Sequence, residues 1–173
     1  MRAARRAPSS PAPLAPAMDL MRRERFDEAL AALAPEDEGA DALLLRASLL
    51  VVSGDGPAAE RVCARLLAVD ELNAGAHYIM ALCRDHAGDP SQAMAHDRAA
   101  IHLDPGFSMP HLHLGLLSRR SGDAETARRE LELALGLLAR EDVARIVLFG
   151  GGFGRDGLIG VCRGELAACG FRP

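Results

Sequence analysis

The sequence predicts an all-α fold, a solenoid of three to four helical hairpins finished by a C-terminal capping helix. Three observations predict it. The pair Gly-Asp recurs as Gly54-Asp55, Gly88-Asp89 and Gly122-Asp123, 34 residues apart each time. An alanine stands five residues after each of these glycines, at Ala59, Ala93 and Ala127. A small residue stands seven before it, at Ala47, Ala81 and Gly115. Three features in step at one period mark a stacked repeat, in which each unit buries its apolar face on its neighbours.

The physics of a helical hairpin accounts for each residue. The small residue of the first helix and the alanine of the second lie where the two helices come closest, so a larger side chain would separate them. The glycine takes positive φ and ends the first helix, and the aspartate after it caps the second. This is the tetratricopeptide (TPR) pattern, with units at 40–73, 74–107 and 108–141. Pro105 closes the second of these. Glu71 and Ala139 replace the closing proline in the other two, Arg46 takes a usually apolar position and Asp97 a usually large apolar one.

Upstream, RFDEALAAL at 25–33 reads as the second helix of a leading unit at about 10–39, with its partner at about 14–23 and with Phe26 and Ala29 as packing residues. This unit is four residues out of step, an offset assigned to the acidic PEDEGAD. Residues 1–16, rich in Pro, Ala, Ser and Arg, read as a disordered linker, so the TPR domain is expected over 17–173. A chain that opens in a linker reads as a fragment or a detached C-terminal module. Downstream, 142–170 holds a glycine-rich turn and the capping helix at about 156–169, whose apolar face is Leu158, Ile159, Cys162, Leu166 and Cys169.

Composition narrows the function. The chain has 173 residues, a net charge of −4 and only 3% aromatics, and all 20 basic residues are arginine. A net acidic chain lacks the basic face that nucleic acid requires, and no function that needs a lysine is available. No apolar run approaches the ~20 residues of a membrane helix, and no secretory signal is evident. The four cysteines form no C-x-x-C pair and no zinc-like spacing, which suits small apolar residues in a reducing cytoplasm.

One motif points the other way. In LFGGGFGRDGLIG, at 148–160, Gly152, Gly154 and Gly157 spell the G-x-G-x-x-G of a dinucleotide loop, after the apolar run Arg145 to Phe149. That loop works only inside a βαβ unit with an acid about 20 residues further on. Only 21 residues follow Gly152, and no parallel sheet is available upstream. The glycines read instead as the hinge of the cap, pinned by Phe149 and Phe153. Gly157, Gly160 and Gly164 each weaken the cap helix by about 1 kcal/mol relative to alanine.

A TPR array binds partners in the groove lined by its first helices. The inward positions here are Leu44, Ser48, Val51 and Val52 in the first full unit, then Tyr78, Leu82, Asp85 and His86, then Met109, Leu112, Leu116, Arg119 and Arg120. The floor is apolar with an arginine pair at one edge, which suits an amphipathic helix or an apolar-acidic peptide. The same leucines also fit packing against neighbouring helices, and the arginines a solvated face. His111 and His113 are two apart and point away from each other on a helix, and Cys83 with His86 makes only two ligands, so no metal site is read. No nucleophile constellation is present, and the Lys and Asn of a carboxylate clamp are missing. No catalytic, cofactor-binding or metal residue is therefore assigned.

Two stretches go beyond the generic repeat. Residues 68–135, from AVDELNAGAHYIMALCRDHAGDP to RRELELAL, and 148–170, LFGGGFGRDGLIGVCRGELAACG, resemble the C-terminal TPR region of bacterial chemotaxis-receptor glutamate methyltransferases of the CheR type. The resemblance covers most of 20–170, and the FGGGF-plus-helix segment is its most specific part. The family's S-adenosylmethionine-binding catalytic domain has no counterpart among the matching positions. The resemblance thus implies a non-catalytic protein-interaction module that regulates or localises receptor methylation, with a chemoreceptor or signalling protein segment as partner. A stand-alone TPR adaptor unrelated to chemotaxis is the alternative.

Overall fold

The computed structural model describes residues 14–170, so most of the expected linker and the last three residues lie outside the described residues. Ten helices follow in order: α1 (Ala15–Arg22), α2 (Phe26–Ala31), α3 (Ala40–Val52), α4 (Gly56–Val69), α5 (Ala74–His86), α6 (Pro90–Leu103), α7 (Ser108–Arg120), α8 (Ala124–Leu138), α9 (Val143–Phe149) and α10 (Arg155–Ala168). No strand occurs among the described residues. α1 starts two residues inside the span expected as linker, because Pro16 sits in the first turn, where its missing N–H costs nothing.

The Gly-Asp turns repeat atom for atom. Gly54, Gly88 and Gly122 hold φ of 84°, 80° and 85°. The next amide, of Asp55, Asp89 or Asp123, donates to the carbonyl five residues back at 2.9 Å. Each of these aspartates then accepts the amide three residues on at 3.0 Å. Helix end and helix start are thus satisfied by one dipeptide. Ala47, Ala59, Ala81, Ala93 and Ala127 are fully buried at the crossings. At Gly115 even a methyl is too much, since a Cβ there would lie 2.8 Å from Leu131 Cγ.

The leading hairpin uses the same turn without its glycine. Glu24 has φ 57°, its amide donates to Met21 and the next amide to Leu20. It stands 30 residues before Gly54 rather than 34, and the missing turn shows in the short α1 and α2. Ala17, Met21, Ala29 and Leu33 form a small separate cluster with Leu45 and Leu49 of α3. Arg46, out of place in an apolar row, reaches back to the carbonyls of Ala34 and Pro35 and ties down the connecting loop.

The closing proline proves dispensable. α4 and α6 both end at an aspartate in extended conformation, Asp70 and Asp104. α8 runs on to Leu138, and its last carbonyls are taken by Arg155, which donates to Leu138 at 3.0 Å and Ala139 at 2.7 Å.

Two readings of the C-terminal segment need correction. Residues 143–149 are a helix, α9, and not part of a turn; Asp142 caps it, accepting the amide of Ala144 at 2.7 Å. The run Ile146 to Phe149 is too short for its period to separate helix from strand. Phe153 does not pin the hinge, because it is 60% exposed. Phe149 alone does so. α10 packs on α8 through Leu158, Cys162 and Leu166, as a cap should, with Cys169 only at the fringe of that face.

Replacing Glu24 by glycine relieves a left-handed residue and is expected to raise unfolding stability by about 1 kcal/mol. Gly164→Ala, where a Cβ meets nothing, is expected to add about 1 kcal/mol more. Urea titrations followed by helical circular dichroism check both.

Candidate functional site

The first helices α3, α5 and α7 form one wall of the stack and the second helices α4, α6 and α8 the other. The first-helix wall is the one expected to bind a partner. In the structure α9 lies across it, against α1 and α3. Phe149 is the anchor. Its ring centroid is 4.9 Å from Phe107 and 5.9 Å from Tyr78, edge-on to the latter, while Tyr78 and Phe107 stand 5.4 Å apart. Three of the chain's six aromatic residues therefore meet at one point. Gly75 makes room for them, since a Cβ there would lie 2.8 Å from Phe149 Cζ and 3.1 Å from Leu44.

The thirteen residues expected to face inward divide accordingly. Tyr78, Met109 and Leu112 are buried in the main core. Leu44, Leu82 and Leu116 are half-buried and pack on that core. Ser48, Val51, Val52 and Leu82 line a small space closed over by Leu148, Phe149 and Gly151. His86 turns away from the wall; its Nδ1 is 2.9 Å from the Leu82 carbonyl, and it borders a cleft with Glu60, Cys83 and the Gly54 turn. Arg119 and Arg120 do not act as a pair: Arg119 bonds Glu165 of α10, and Arg120 bonds Asp85 of α5. Over α3 and α5, the floor read as open is thus covered by the chain's own C-terminal segment.

Sequence reasoning missed a buried charge cluster between α5, α6 and α7. Asp97, taken there as a weakness in α6, is fully buried. His113 lies between it and Asp85, with Nδ1 2.8 Å from Asp97 and Nε2 3.3 Å from Asp85. Burial pushes the Asp97 carboxyl up to about 6, against the pull of His113. Burial alone would lower His113, but Asp97 and Asp85 outweigh it and raise the imidazole above its ordinary value. Burial would likewise raise Asp85, but Arg120 and His113 hold it below the usual carboxylate range. A second pair, His111 Nδ1 to Glu130 at 2.7 Å, joins α7 to α8 and lowers the glutamate. Each histidine serves its own carboxylate, which suits helix pairing. Among the described residues, no group of three or more His, Cys, Asp or Glu is arranged to hold a metal ion. The thiols of Cys63, Cys83 and Cys162 are raised by burial, to about 12, 11 and 11, so none is a nucleophile at neutral pH.

Comparison with known proteins agrees with this geometry. TTC0263, a thermophilic TPR protein of Thermus thermophilus, superposes with a TM-score of 0.65 at 22% identity, over 90% of this chain and 87% of that one. PcrH from Pseudomonas aeruginosa gives 0.63 at 18% identity, over 79% and 95%. The fold is a TPR α-solenoid. PcrH has also been solved with the chaperone-binding region of PopD, and that complex superposes with a TM-score of 0.60 at 18% identity, over 85% and 92%. In sequence, the TPR chain is 35% identical over 97 residues to the probable biofilm formation methyltransferase WspC of Pseudomonas putida. The match covers 56% of the TPR chain and 23% of WspC, so the chain spans about a quarter of that relative's length. It is a partial homologue of a CheR-type methyltransferase. No protein-family model matches. No helix among the described residues is long and apolar enough to cross a membrane.

The charge cluster makes a testable demand. His113→Leu leaves Asp97 buried and unpaired and is expected to cost about 3–5 kcal/mol, most of it recovered in the double variant with Asp97→Leu. Because His113 is raised in the folded state, its stabilisation is complete below about pH 6.5 and is lost as pH rises through the folded value. The raised Asp97 favours low pH in the same sense, and the lowered Asp85 acts oppositely, only below about pH 4. Urea midpoints are therefore expected to fall between pH 6 and pH 9 in the wild type and to stay flat in the double variant.

Proposed function

We propose that this chain is the protein-interaction module of a chemotaxis-type receptor methyltransferase system, and that it regulates or localises receptor methylation without catalysing it. The observation that carries this is the 35% identity to WspC over 97 residues. The glycine-rich segment that joins α9 to α10 adds to it, because it resembles the C-terminal segment of that methyltransferase family. A TPR solenoid supplies extended helical surface, and nothing among the described residues supplies a nucleophile or a raised general base in a cleft. The partner is a protein or peptide segment, from a chemoreceptor or its signalling complex, engaged in the cytoplasm. The first-helix wall is the surface proposed for it, through Leu44, Tyr78, Leu82, Asp85, Met109, Leu112, Leu116, Arg119 and Arg120; His86, which borders the neighbouring cleft, falls outside it. The alternative, a TPR adaptor with no link to methylation, is favoured only by the fold neighbours, which share the architecture without the WspC likeness.

The purified chain is expected to bind no S-adenosylmethionine in calorimetry and to transfer no methyl group to receptor fragments. Deleting its coding region is expected to change the methylation level of at least one receptor in the cell, with restoration on complementation. Micromolar cofactor binding, or unchanged methylation of every receptor, would overturn the proposal.

A further inference from the structure

The first-helix wall is already occupied, and its occupant describes what else would fit. Two side chains of α9, one helical turn apart, define the contact, with Ile146 buried beside them. Phe149, 8% exposed, enters the slot bounded by Tyr78, Phe107 and Leu44 over the bare Cα of Gly75. Arg145, four residues earlier, lies over the Phe107 ring at 4.2 Å. Its guanidinium also pairs with Asp104 at 2.9 Å and Glu141 at 3.6 Å. Apart from Glu141, every receiving group belongs to α3, α5 or the α6–α7 connection.

The attachment of α9 comes from packing, through Ile146 and Phe149 in the main core and Val147 and Leu148 beside it, and not from the helix's own length. Seven residues make too short a helix to hold its form alone. At its far end Gly150 sits where a Cβ would strike the Ile146 and Phe153 carbonyls at 2.5 and 2.7 Å, and Gly151 and Gly152 have φ of 62° and 91°. Beyond this joint α10 holds itself on α8 through its own apolar face and through Arg155. The cap therefore keeps its seat whether or not α9 is docked. Beside α9, Val143 and Phe153 stand 62% and 60% exposed along an open cleft with Met21 and Val147, where an incoming chain has apolar surface to meet.

We propose that α9 is an intramolecular stand-in for the partner: the wall accepts a helical peptide carrying an aromatic residue four positions after an arginine, and this peptide binds by displacing α9. The proposal rests on the reading of the chain as a protein-interaction module and is independent of its link to methylation. The Asp104 carboxylate, the Phe107 ring and the slot over Gly75 set the order of the motif, base first and aromatic second. An acidic peptide is disfavoured, because Arg119 and Arg120 are already neutralised by Glu165 and Asp85. Displacement also sets the affinity, which equals the intrinsic value multiplied by the fraction of molecules whose wall is open.

The test uses the full chain and a fluorescein-labelled peptide of residues 141–150, with a control peptide in which its phenylalanine is alanine. Phe149→Ala empties the slot, and Arg145→Glu sets a carboxylate against Asp104 and Glu141. Both variants are expected to bind the peptide about tenfold more tightly than wild type, and the control peptide is expected to lose that binding. Adding Gly75→Leu to Phe149→Ala refills the slot and is expected to abolish binding. Binding no tighter than wild type, or equal binding of both peptides, would overturn the proposal. Should Phe149→Ala lose its helical circular dichroism, Arg145→Glu decides alone, since Arg145 is one-third exposed and its replacement spares the core. The assay contains no methyltransferase or receptor. Its failure thus leaves the methylation reading standing, and unchanged receptor methylation with intact peptide binding would sink that reading alone.

Discussion

The ring of Phe149, set between Tyr78 and Phe107, holds together parts of the chain that the repeat alone would leave apart. A stack of hairpins buries the faces between neighbours and leaves two surfaces bare: the end of the stack and the wall of first helices. Here one C-terminal segment covers both. α10 closes the end on α8, and α9 crosses the wall back to α1 and α3. With so few aromatics in the chain, three of them at one junction represent a large share of its bulky contact area, and edge-on rings at 5.4 and 5.9 Å fix geometry as well as bury surface. Gly75 is the counterpart on the wall, a glycine kept in a helix despite its cost because nothing larger leaves room for the ring.

The charge cluster answers a different need. Leucine-rich hairpins can slide past one another with little change in buried area. Asp97 on α6 pairs with His113 on α7, which in turn faces Asp85 on α5. A slip by one residue would strand a buried carboxylate, at a cost far above that of a misplaced leucine. The pairing of His111 with Glu130 does the same for α7 and α8. Polar groups in this core therefore specify register more than they add stability.

The repeat was legible because its turn chemistry is local: a glycine at positive φ and a capping aspartate leave a mark that needs no partner. The cap helix was legible for the same reason, through its apolar spacing. What escaped was non-local. α9 is helical because Asp142 caps it and because Ile146 and Phe149 find a wall far away in sequence, and neither fact can be read from RIVLF. Arg119 and Arg120 looked like one patch as neighbours in the chain, yet successive helical residues point about 100° apart and they reach different helices. Asp97 was flagged as a departure from the pattern and His113 as a histidine without a task; that each explains the other emerges only once α6 and α7 are side by side. Glu24 escaped because a left-handed glutamate carries no sequence signal.

The four glycines between α9 and α10 have a consequence for communication. A rigid connection would carry a displacement on the wall through to the end of the stack as a rotation of the cap. A joint with this much backbone freedom transmits position and absorbs torque, so movement of one helix is dissipated before it reaches the other. A side-chain link between the wall and the capped end, Arg119 of α7 with Glu165 of α10, is a partly exposed ion pair and couples the two surfaces only weakly. Movement at the wall would therefore reach the cap in attenuated form.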